Sequence, residues 1–145
     1  MADLHLRIYT DGGAKGNPGP AGAGIFIEDA ASGEAIHEAG VYLGRTTNNV
    51  AEYQGMLYGL KMAQTLNASR VELISDSELM VRQMTGQYRV KNAGLKPLYE
   101  EAKSIASGFA DFQIRHVRRE HNKDADRLVN QAIKEKRNIE GAVEF

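Results

Sequence analysis

The sequence predicts one mixed α/β domain, residues 1–145, with a five-stranded sheet of three antiparallel strands followed by parallel ones, flanked by helices. Three observations support this prediction. The length of 145 residues suits a single hydrophobic core. Apolar residues alternate with a period of two early in the chain and recur every three or four residues later. No repeat or linker interrupts the resulting element order, βββαβααβα, and only the last residues, about eight of them, are expected to form a flexible tail.

The first three strands are marked by alternation and by the turn residues between them. Leu4, Leu6 and Ile8 alternate with more polar side chains, and this strand is expected to end at Asp11. Further strands are predicted at residues 23–28 and 35–43, separated by a glycine- and proline-rich turn at 12–20 and a hairpin connection at 29–33. Strands joined by such short turns form an antiparallel meander.

The second part of the chain alternates helices with short strands. From Asn49 to about Leu66, apolar residues recur at the spacing of one helical face. Helices are also predicted at residues 79–84, 95–105 and 123–136, and strands at 71–74 and 112–116. A right-handed crossover is expected to join the strands on either side of the first helix, so this part of the sheet should be parallel.

Composition narrows the class of protein. Apolar residues make up 42% and charged residues 26% of the chain, values that are typical of globular domains and argue against disorder. The chain has no cysteine, no apolar stretch of the roughly 18 residues that a membrane span needs, and no signal-peptide pattern at its start. These features predict a cytoplasmic protein, which we expect to be a monomer.

The net charge of −1 conceals an uneven distribution. Residues 1–81 carry 5 basic and 10 acidic side chains, whereas residues 82–137 carry 13 basic and 7 acidic ones. A polyanion could dock on the basic part while carboxylates in the acidic part hold cations. The alternative interpretation is that both parts are ordinary solvated faces.

Four carboxylates occupy positions where elements begin or end. Asp11 and Asp76 terminate strands, at the edge where an open sheet gathers its ligands. Glu52 and Asp126 lie in the first turns of helices. Singly, Asp76 could be a helix cap, and Glu52 and Asp126 could be favourable charges at helix N-termini. Together they would repel one another unless cations neutralise them, and oxygen ligands without cysteine favour Mg²⁺ or Mn²⁺ over zinc.

Two further segments suggest contact with a polyanion. The glycine-rich turn that begins at Gly12 lacks the Gly-Lys-Ser/Thr of a phosphate loop and leads into a strand rather than a helix. Its small residues could let a sugar–phosphate backbone approach the main chain, or could simply form a tight hairpin. The segment Arg45–Asn49 places five hydrogen-bonding residues at a helix start, which suits N-capping and also phosphate or sugar contact.

Four ordered segments resemble the motifs of the type 1 ribonucleases H. They are Tyr9–Gly13 with Gly16–Pro20, Thr46–Asn49 with Glu52, Ile74–Ser77, and Asn122–Leu128. The similarity covers about residues 5–135, nearly the whole chain. It implies a ribonuclease H-like fold and an endonuclease that hydrolyses the RNA strand of an RNA–DNA hybrid, leaving 5′-phosphate and 3′-hydroxyl ends.

The resemblance also implies roles for individual residues. Two Mg²⁺ ions, for which Mn²⁺ is expected to substitute, would be held by Asp11, Glu52, Asp76 and Asp126, one ion generating the attacking hydroxide and the other stabilising the leaving oxygen. The RNA strand would be contacted by Gly12, Gly13, Asn17, Asn48 and Asn49, and a phosphate of the DNA strand by Thr47 and Arg45. The 2′-hydroxyl is the group that distinguishes RNA from DNA.

The sequence departs from the family pattern at three places. His121 is the candidate for a histidine that assists catalysis or product release, and it lies fewer residues before Asp126 than in many members. The alternative interpretation of His121 is an exposed loop residue. Glu78 stands where glutamine is common, and the chain has no tryptophan with which to build the basic protrusion of some members. Action on double-stranded RNA, or a non-catalytic nucleic-acid-binding module on the same fold, remain alternatives.

Overall fold

Residues 3–142, which the computed structural model describes, form one mixed sheet with helices packed against it. The elements are β1 (His5–Ala14), β2 (Gly19–Asp29), β3 (Ala35–Thr46), α1 (Asn48–Thr65), β4 (Arg70–Ser75), α2 (Glu78–Met84), α3 (Lys96–Ala106), β5 (Asp111–His116), α4 (Lys123–Glu135) and β6 (Ile139–Ala142), with a 3₁₀ turn at Arg119–His121. Within this described part of the chain, no helix is long and apolar enough to cross a membrane.

The strand order in the sheet is β5-β4-β1-β2-β3-β6. β1, β2 and β3 pair antiparallel as a meander, whereas β4 pairs parallel to β1 and β5 parallel to β4. The predicted meander and the predicted parallel part of the sheet are both confirmed. β1 therefore lies near the centre of the sheet. The crossover through α1 places β4 next to β1, on the side away from β2.

The sheet has six strands, so the prediction of five is wrong. β6 pairs antiparallel with residues 37–40 of β3, and the side-chain oxygen of Asn138 accepts a hydrogen bond of 2.8 Å from the main-chain N–H of Tyr42. Residues 139–142 were expected to belong to a flexible tail; residues 143–145 of that tail lie outside the described residues. The physical reason is that β3 would otherwise be an edge strand with unpaired main-chain groups.

The glycine-rich segment is also more regular than predicted. β1 does not end at Asp11 but continues to Ala14, with Gly12 opposite Ala23 and Gly13 opposite Gly22. Likewise β2 begins at Gly19, which leaves only residues 15–18 as the turn. Glycine is a poor strand former by propensity, but its main chain offers the same donor and acceptor as any other residue, and the pairing with β2 uses them.

Helices α1 and α4 cover opposite faces of the sheet. A Cβ atom added to Gly24 in β2 would lie 2.0 Å from the carbonyl oxygen of Ala125 in α4, whereas the next residue, Ile25, reaches Gly59 in α1. Because neighbouring strand residues point to opposite faces, the two helices lie on either side of β2. The largest fully buried apolar side chains of the core include Leu6, Ile8, Ile25, Ile27, Tyr53, Met56, Leu60 and Leu73.

Replacing Gly24 by alanine should lower the free energy of unfolding by about 1–3 kcal/mol, because the added methyl group must displace the main chain of α4. Gly141→Ala is the matched control, since a Cβ there meets no atom within 4 Å and should change stability by less than about 0.5 kcal/mol. Urea unfolding curves compare the two variants. Equal unfolding midpoints would contradict the close seating of α4 on β2.

Candidate active site

The four predicted carboxylates line one pocket of about 450 Å³. Asp11 comes from β1 and Asp76 directly follows β4. Glu52 and Asp126 come from the first turns of α1 and α4. The pocket is also lined by Gly12, Gly13, Ala14, Lys15, Asn48, Arg119, Val129, Asn130 and Ile133. The structure thus brings together side chains from four separate elements, as the sequence predicts.

Close main-chain contacts seat the starts of α1 and α4 on the sheet and so bring Glu52 and Asp126 to the pocket. A Cβ atom added to Gly12 would lie 2.3 Å from the main-chain nitrogen of Glu52, so only glycine lets the start of α1 rest on β1 here. Gly12 faces α1, and Asp11 therefore faces the opposite side of the sheet, where α4 begins. Asp11 pairs directly with Gly24, the residue on which Ala125 of α4 rests. As a result Glu52 and Asp126 approach the same pocket from opposite faces of the sheet.

Asp76 enters the pocket because a neighbouring residue takes the capping role. The hydroxyl of Ser77 accepts a hydrogen bond of 3.2 Å from the N–H of Met80 and is the N-cap of α2. The hydroxyl of Ser75 in turn accepts a hydrogen bond of 3.0 Å from the N–H of Ser77. The interpretation of Asp76 as a helix cap is therefore wrong, and its carboxylate is left to the pocket.

Burial in the pocket disfavours the negative charge of Asp11 and Glu52. Asp11 is only 8% exposed, and burial, reinforced by the charge and a side-chain hydrogen bond of Asp76, raises its pKa to about 8. The N–H of Gly12, at 2.9 Å from Asp11 Oδ1, opposes this rise only partly. Burial also raises the pKa of Glu52 to about 7, against a lowering contribution from the Ser77 hydroxyl. Such mutual repulsion is relieved when cations bind between the groups.

The donor set fits a hard divalent cation. All four groups offer carboxylate oxygens, which magnesium and manganese prefer over the nitrogen and sulfur ligands typical of zinc. Among residues 3–142, no three acidic or histidine side chains converge closely enough to hold an ion by themselves. Mg²⁺ commonly binds through one or two carboxylates and completes its shell with water and substrate phosphate. An open cluster of acids is therefore compatible with ions that bind together with a polyanion.

Arg119 is a site residue that the sequence did not single out. Its Nη2 atom lies 3.3 Å from Oδ1 of Asp126, and the side chain lines the pocket while remaining mostly exposed. The only signal in the sequence is that two adjacent basic residues, Arg118 and Arg119, precede the last motif, and it does not indicate which carboxylate either would contact. The structure instead gives Arg119 a defined partner, so its positive charge offsets part of the negative charge of Asp126.

His121 does not lie with the four acids. It is exposed and lines a separate pocket of about 210 Å³ together with Tyr9, Phe26 and Lys123. The 3₁₀ turn that contains Arg119 and His121 sends the arginine toward Asp126 and the histidine away from it. The structure therefore does not bring His121 together with the four acids, and its catalytic role stays a prediction; the basic side chain beside Asp126 is that of Arg119.

Two asparagines join the glycine-rich turn to the start of α1. The side-chain oxygen of Asn17 accepts a hydrogen bond of 3.1 Å from the N–H of Asn48, whose own side-chain oxygen accepts one of 2.7 Å from the N–H of Ala14. Because both oxygens are used in this way, the two amide NH₂ groups are the parts of these side chains that can donate to a ligand. Asn17 and Asn48 are both exposed at the rim of the pocket region.

The polar segment before α1 combines capping with exposure. The hydroxyl of Thr47 is the N-cap of α1 and accepts a hydrogen bond of 3.2 Å from the N–H of Val50, so the capping interpretation is confirmed. Its O–H can still donate to a ligand. Arg45 is exposed near the end of β3, and Asn49 is partly exposed. These residues lie at the start of α1, and the N-terminus of a helix favours the binding of an anion.

Without metal ions, Asp11→Asn should stabilise the protein at neutral and alkaline pH. Asp11 has an ordinary pKa of 3.8 and a folded-state pKa of about 8, so between these values the folded state holds a proton that the unfolded state has released. The stability of the wild type therefore falls as pH rises from about 4 to 8, and the variant escapes this loss, on the order of a few kcal/mol at pH 9.

Thermal unfolding in EDTA at several pH values measures this difference. Asp124→Asn, a change to an exposed carboxylate beside Asp126, is the matched control and should show no pH-dependent gain. Stability curves of wild type and Asp11→Asn that stay parallel from pH 4 to 9 would contradict the electrostatic account of the pocket.

Comparison with known proteins identifies the family. The family model described as "Reverse transcriptase-like" matches residues 9–132. The "Bifunctional protein Rv2228c" of Mycobacterium tuberculosis is 43% identical over 130 residues, which are 90% of this chain and 36% of that protein. The "Ribonuclease HI" of Halobacterium salinarum is 36% identical over 128 residues, 88% of this chain and 64% of that protein. The chain thus spans less than two thirds of the length of these relatives.

Solved structures of similar proteins share the fold over nearly their whole length. The N-terminal RNase H domain of Rv2228c superposes with a TM-score of 0.88 at 41% identity, covering 91% of this chain and 95% of that one. The RNase H1 of Halobacterium salinarum gives 0.87 at 35% identity, with coverages of 90% and 98%. LC11-RNase H1, solved in complex with an RNA/DNA hybrid, gives 0.84 at 43% identity, with coverages of 90% and 98%. The chain therefore belongs to the reverse transcriptase-like family and, within it, to the type 1 ribonucleases H.

Proposed function

We propose that this chain is an endoribonuclease that hydrolyses the RNA strand of RNA–DNA hybrids and leaves 5′-phosphate and 3′-hydroxyl ends. The observation that carries the proposal is the meeting of Asp11, Glu52, Asp76 and Asp126 in one pocket. A fold shared with LC11-RNase H1, which was solved with an RNA/DNA hybrid, supports the choice of substrate. The complete acid set argues against a purely binding role for the same fold.

Divalent metal ions go with this family, and we assign two Mg²⁺ sites to the four acids, with Mn²⁺ expected to substitute. Bound cations of this kind supply charge stabilisation to a phosphodiester and lower the pKa of a nucleophilic water. The protein's own contribution is to hold the carboxylates in place before the substrate arrives. Asp11, central and buried, would be shared by both ions, with Glu52 and Asp76 completing one site and Asp126 binding the other.

Substrate contact is proposed along the rim between the glycine-rich turn and α1. The amide groups of Asn17 and Asn48, locked by their own main-chain hydrogen bonds, are presented as donors to sugar and base edges of the RNA strand. Asn49 and the main chain at Gly12 and Gly13 lie along the same rim, and both glycines line the pocket. Preformed donors of this kind reduce the entropic cost of binding.

A phosphate of the DNA strand is proposed to bind at the start of α1. Thr47 offers its hydroxyl there, and Arg45 on the preceding strand offers a positive charge. A helix N-terminus favours an anion through its unsatisfied N–H groups and its dipole. On the sequence alone, we further propose that the protein acts as a monomer in the cytoplasm; sedimentation and localisation measurements would test these two points.

Cleavage assays with labelled substrates test the proposed activity. An RNA–DNA hybrid should be cut in its RNA strand in the presence of Mg²⁺ or Mn²⁺ and left intact in EDTA. Double-stranded RNA, duplex DNA and single-stranded RNA of the same sequence serve as the matched substrates, and we expect them to be cut at least tenfold more slowly. Equal rates on the hybrid and double-stranded RNA would replace the proposed substrate with a broader one.

Thr47→Ala should weaken hybrid binding more than it slows the chemical step. The change removes a neutral hydroxyl that suits phosphate capture, together with a helix cap worth about 1 kcal/mol, but removes no charge from the pocket. Thr47→Ser keeps the hydroxyl and is the control. Binding titrations and single-turnover rates at saturating enzyme separate the two effects. A large loss of single-turnover rate at unchanged affinity would show that Thr47 acts in catalysis instead.

A further inference from the structure

Asn122 occupies an unusual position at the start of α4. It is the N-cap residue of this helix, where an asparagine ordinarily uses its side-chain oxygen to accept a hydrogen bond from the first turn. Here its side chain makes no such bond. The residue is only 1% exposed, and within the described part of the chain its Oδ1 atom has no hydrogen-bond partner. A buried polar group that gives up its local partner requires an explanation.

The NH₂ group of the Asn122 side chain provides the explanation. Nδ2 of Asn122 donates a hydrogen bond of 2.9 Å to the carbonyl oxygen of Thr10 in β1, a residue 112 positions away in the chain. The main-chain carbonyl of Asn122 accepts a hydrogen bond of 3.1 Å from the N–H of Asp126. Thr10 is bonded covalently to Asp11. Two hydrogen bonds through one residue therefore connect the main chain at Asp11 with the main chain at Asp126.

The same contact is supported from the neighbouring strand. Ala125 of α4 rests on Gly24 of β2, and Gly24 is paired with Asp11. Gly24 sets how closely α4 approaches the sheet, because no side chain intervenes. The amide of Asn122 adds a directional bond, which packing between apolar groups lacks. The start of α4 is thus fixed in both distance and orientation relative to Asp11.

We propose that Asn122 is a positioning residue, which sets the separation of Asp11 and Asp126 and thereby the affinity of the site for divalent cations. The inference rests on the proposed function of this site. Asn122 itself contributes no carboxylate to the site and lines the neighbouring pocket rather than the acid pocket. Groups that orient metal ligands typically change metal affinity or activity by about 10–100-fold when they are replaced.

Two replacements separate positioning from folding. Asn122→Ala removes the amide, and Asn122→Leu removes it while keeping nearly the same shape, so the second variant should fold even if the first does not. Asn138→Ala is the matched control, because the side chain of Asn138 also accepts a hydrogen bond from a distant main chain, at Tyr42, and neither of these residues lines the acid pocket. Circular dichroism and thermal unfolding establish that each variant is folded.

The measurement is calorimetric titration of each folded protein with MgCl₂ in the absence of nucleic acid, followed by steady-state cleavage of the hybrid. We expect both Asn122 variants to bind Mg²⁺ at least about fivefold more weakly and to lose at least about tenfold in kcat, with KM for the hybrid within about twofold of wild type. Asn138→Ala should bind Mg²⁺ like wild type.

The contrary outcomes are distinct. Mg²⁺ affinity and kcat of Asn122→Leu within twofold of wild type would overturn the positioning role, and so would the failure of both Asn122 variants to fold, which would make the residue structural. A wild type that neither binds Mg²⁺ nor cleaves the hybrid would instead overturn the proposed function, and this inference with it.

Discussion

The concentration of negative charge around Asp11 is the constraint on which the arrangement of this protein depends. A carboxylate that is 8% exposed and close to two other acids resists ionisation, as the raised pKa of Asp11 shows. Such a group destabilises the metal-free fold at neutral pH. The arrangement becomes favourable when cations occupy the space between the acids. The site therefore favours the binding of divalent cations, whose charge offsets the repulsion among the carboxylates.

Bringing the four acids together requires the main chains of α1 and α4 to approach the sheet unusually closely. Gly12 lets α1 rest on β1, and Gly24 lets α4 rest on β2 from the other face. These glycines are costly in strands by propensity, yet each lies where a Cβ atom would separate the acids. The amide of Asn122 then fixes the direction of α4. The two glycines thus depart from strand propensity, and Asn122 makes no N-cap hydrogen bond, at positions that bring the acids together. Such departures are expected where a fold is shaped by its function rather than by stability alone.

The sequence predicted the parts of this structure that have strong local signals. Alternation and helical spacing predicted the meander and the long helices. The four carboxylates were predicted because each lies where a strand ends or a helix begins. The sixth strand was missed because the need to cover β3 exists only in the folded sheet. The glycine run in β1 was read as a turn because propensity cannot anticipate its pairing with β2. Which of Arg119 and His121 faces the acids depends on the backbone of one 3₁₀ turn, and spacing in the sequence does not determine that.

We propose that position in the pocket, rather than acidity of the surrounding surface, makes these carboxylates functional. Asp126 and Asp124 test it directly, because they lie in the same turn of α4 and only Asp126 lines the acid pocket. Hybrid cleavage at saturating Mg²⁺ should fall by at least a hundredfold in Asp126→Asn, on the order of 3 kcal/mol in the barrier, and stay within about twofold of wild type in Asp124→Asn. Equal activity of the two variants would show that position in the pocket does not determine which carboxylates are functional.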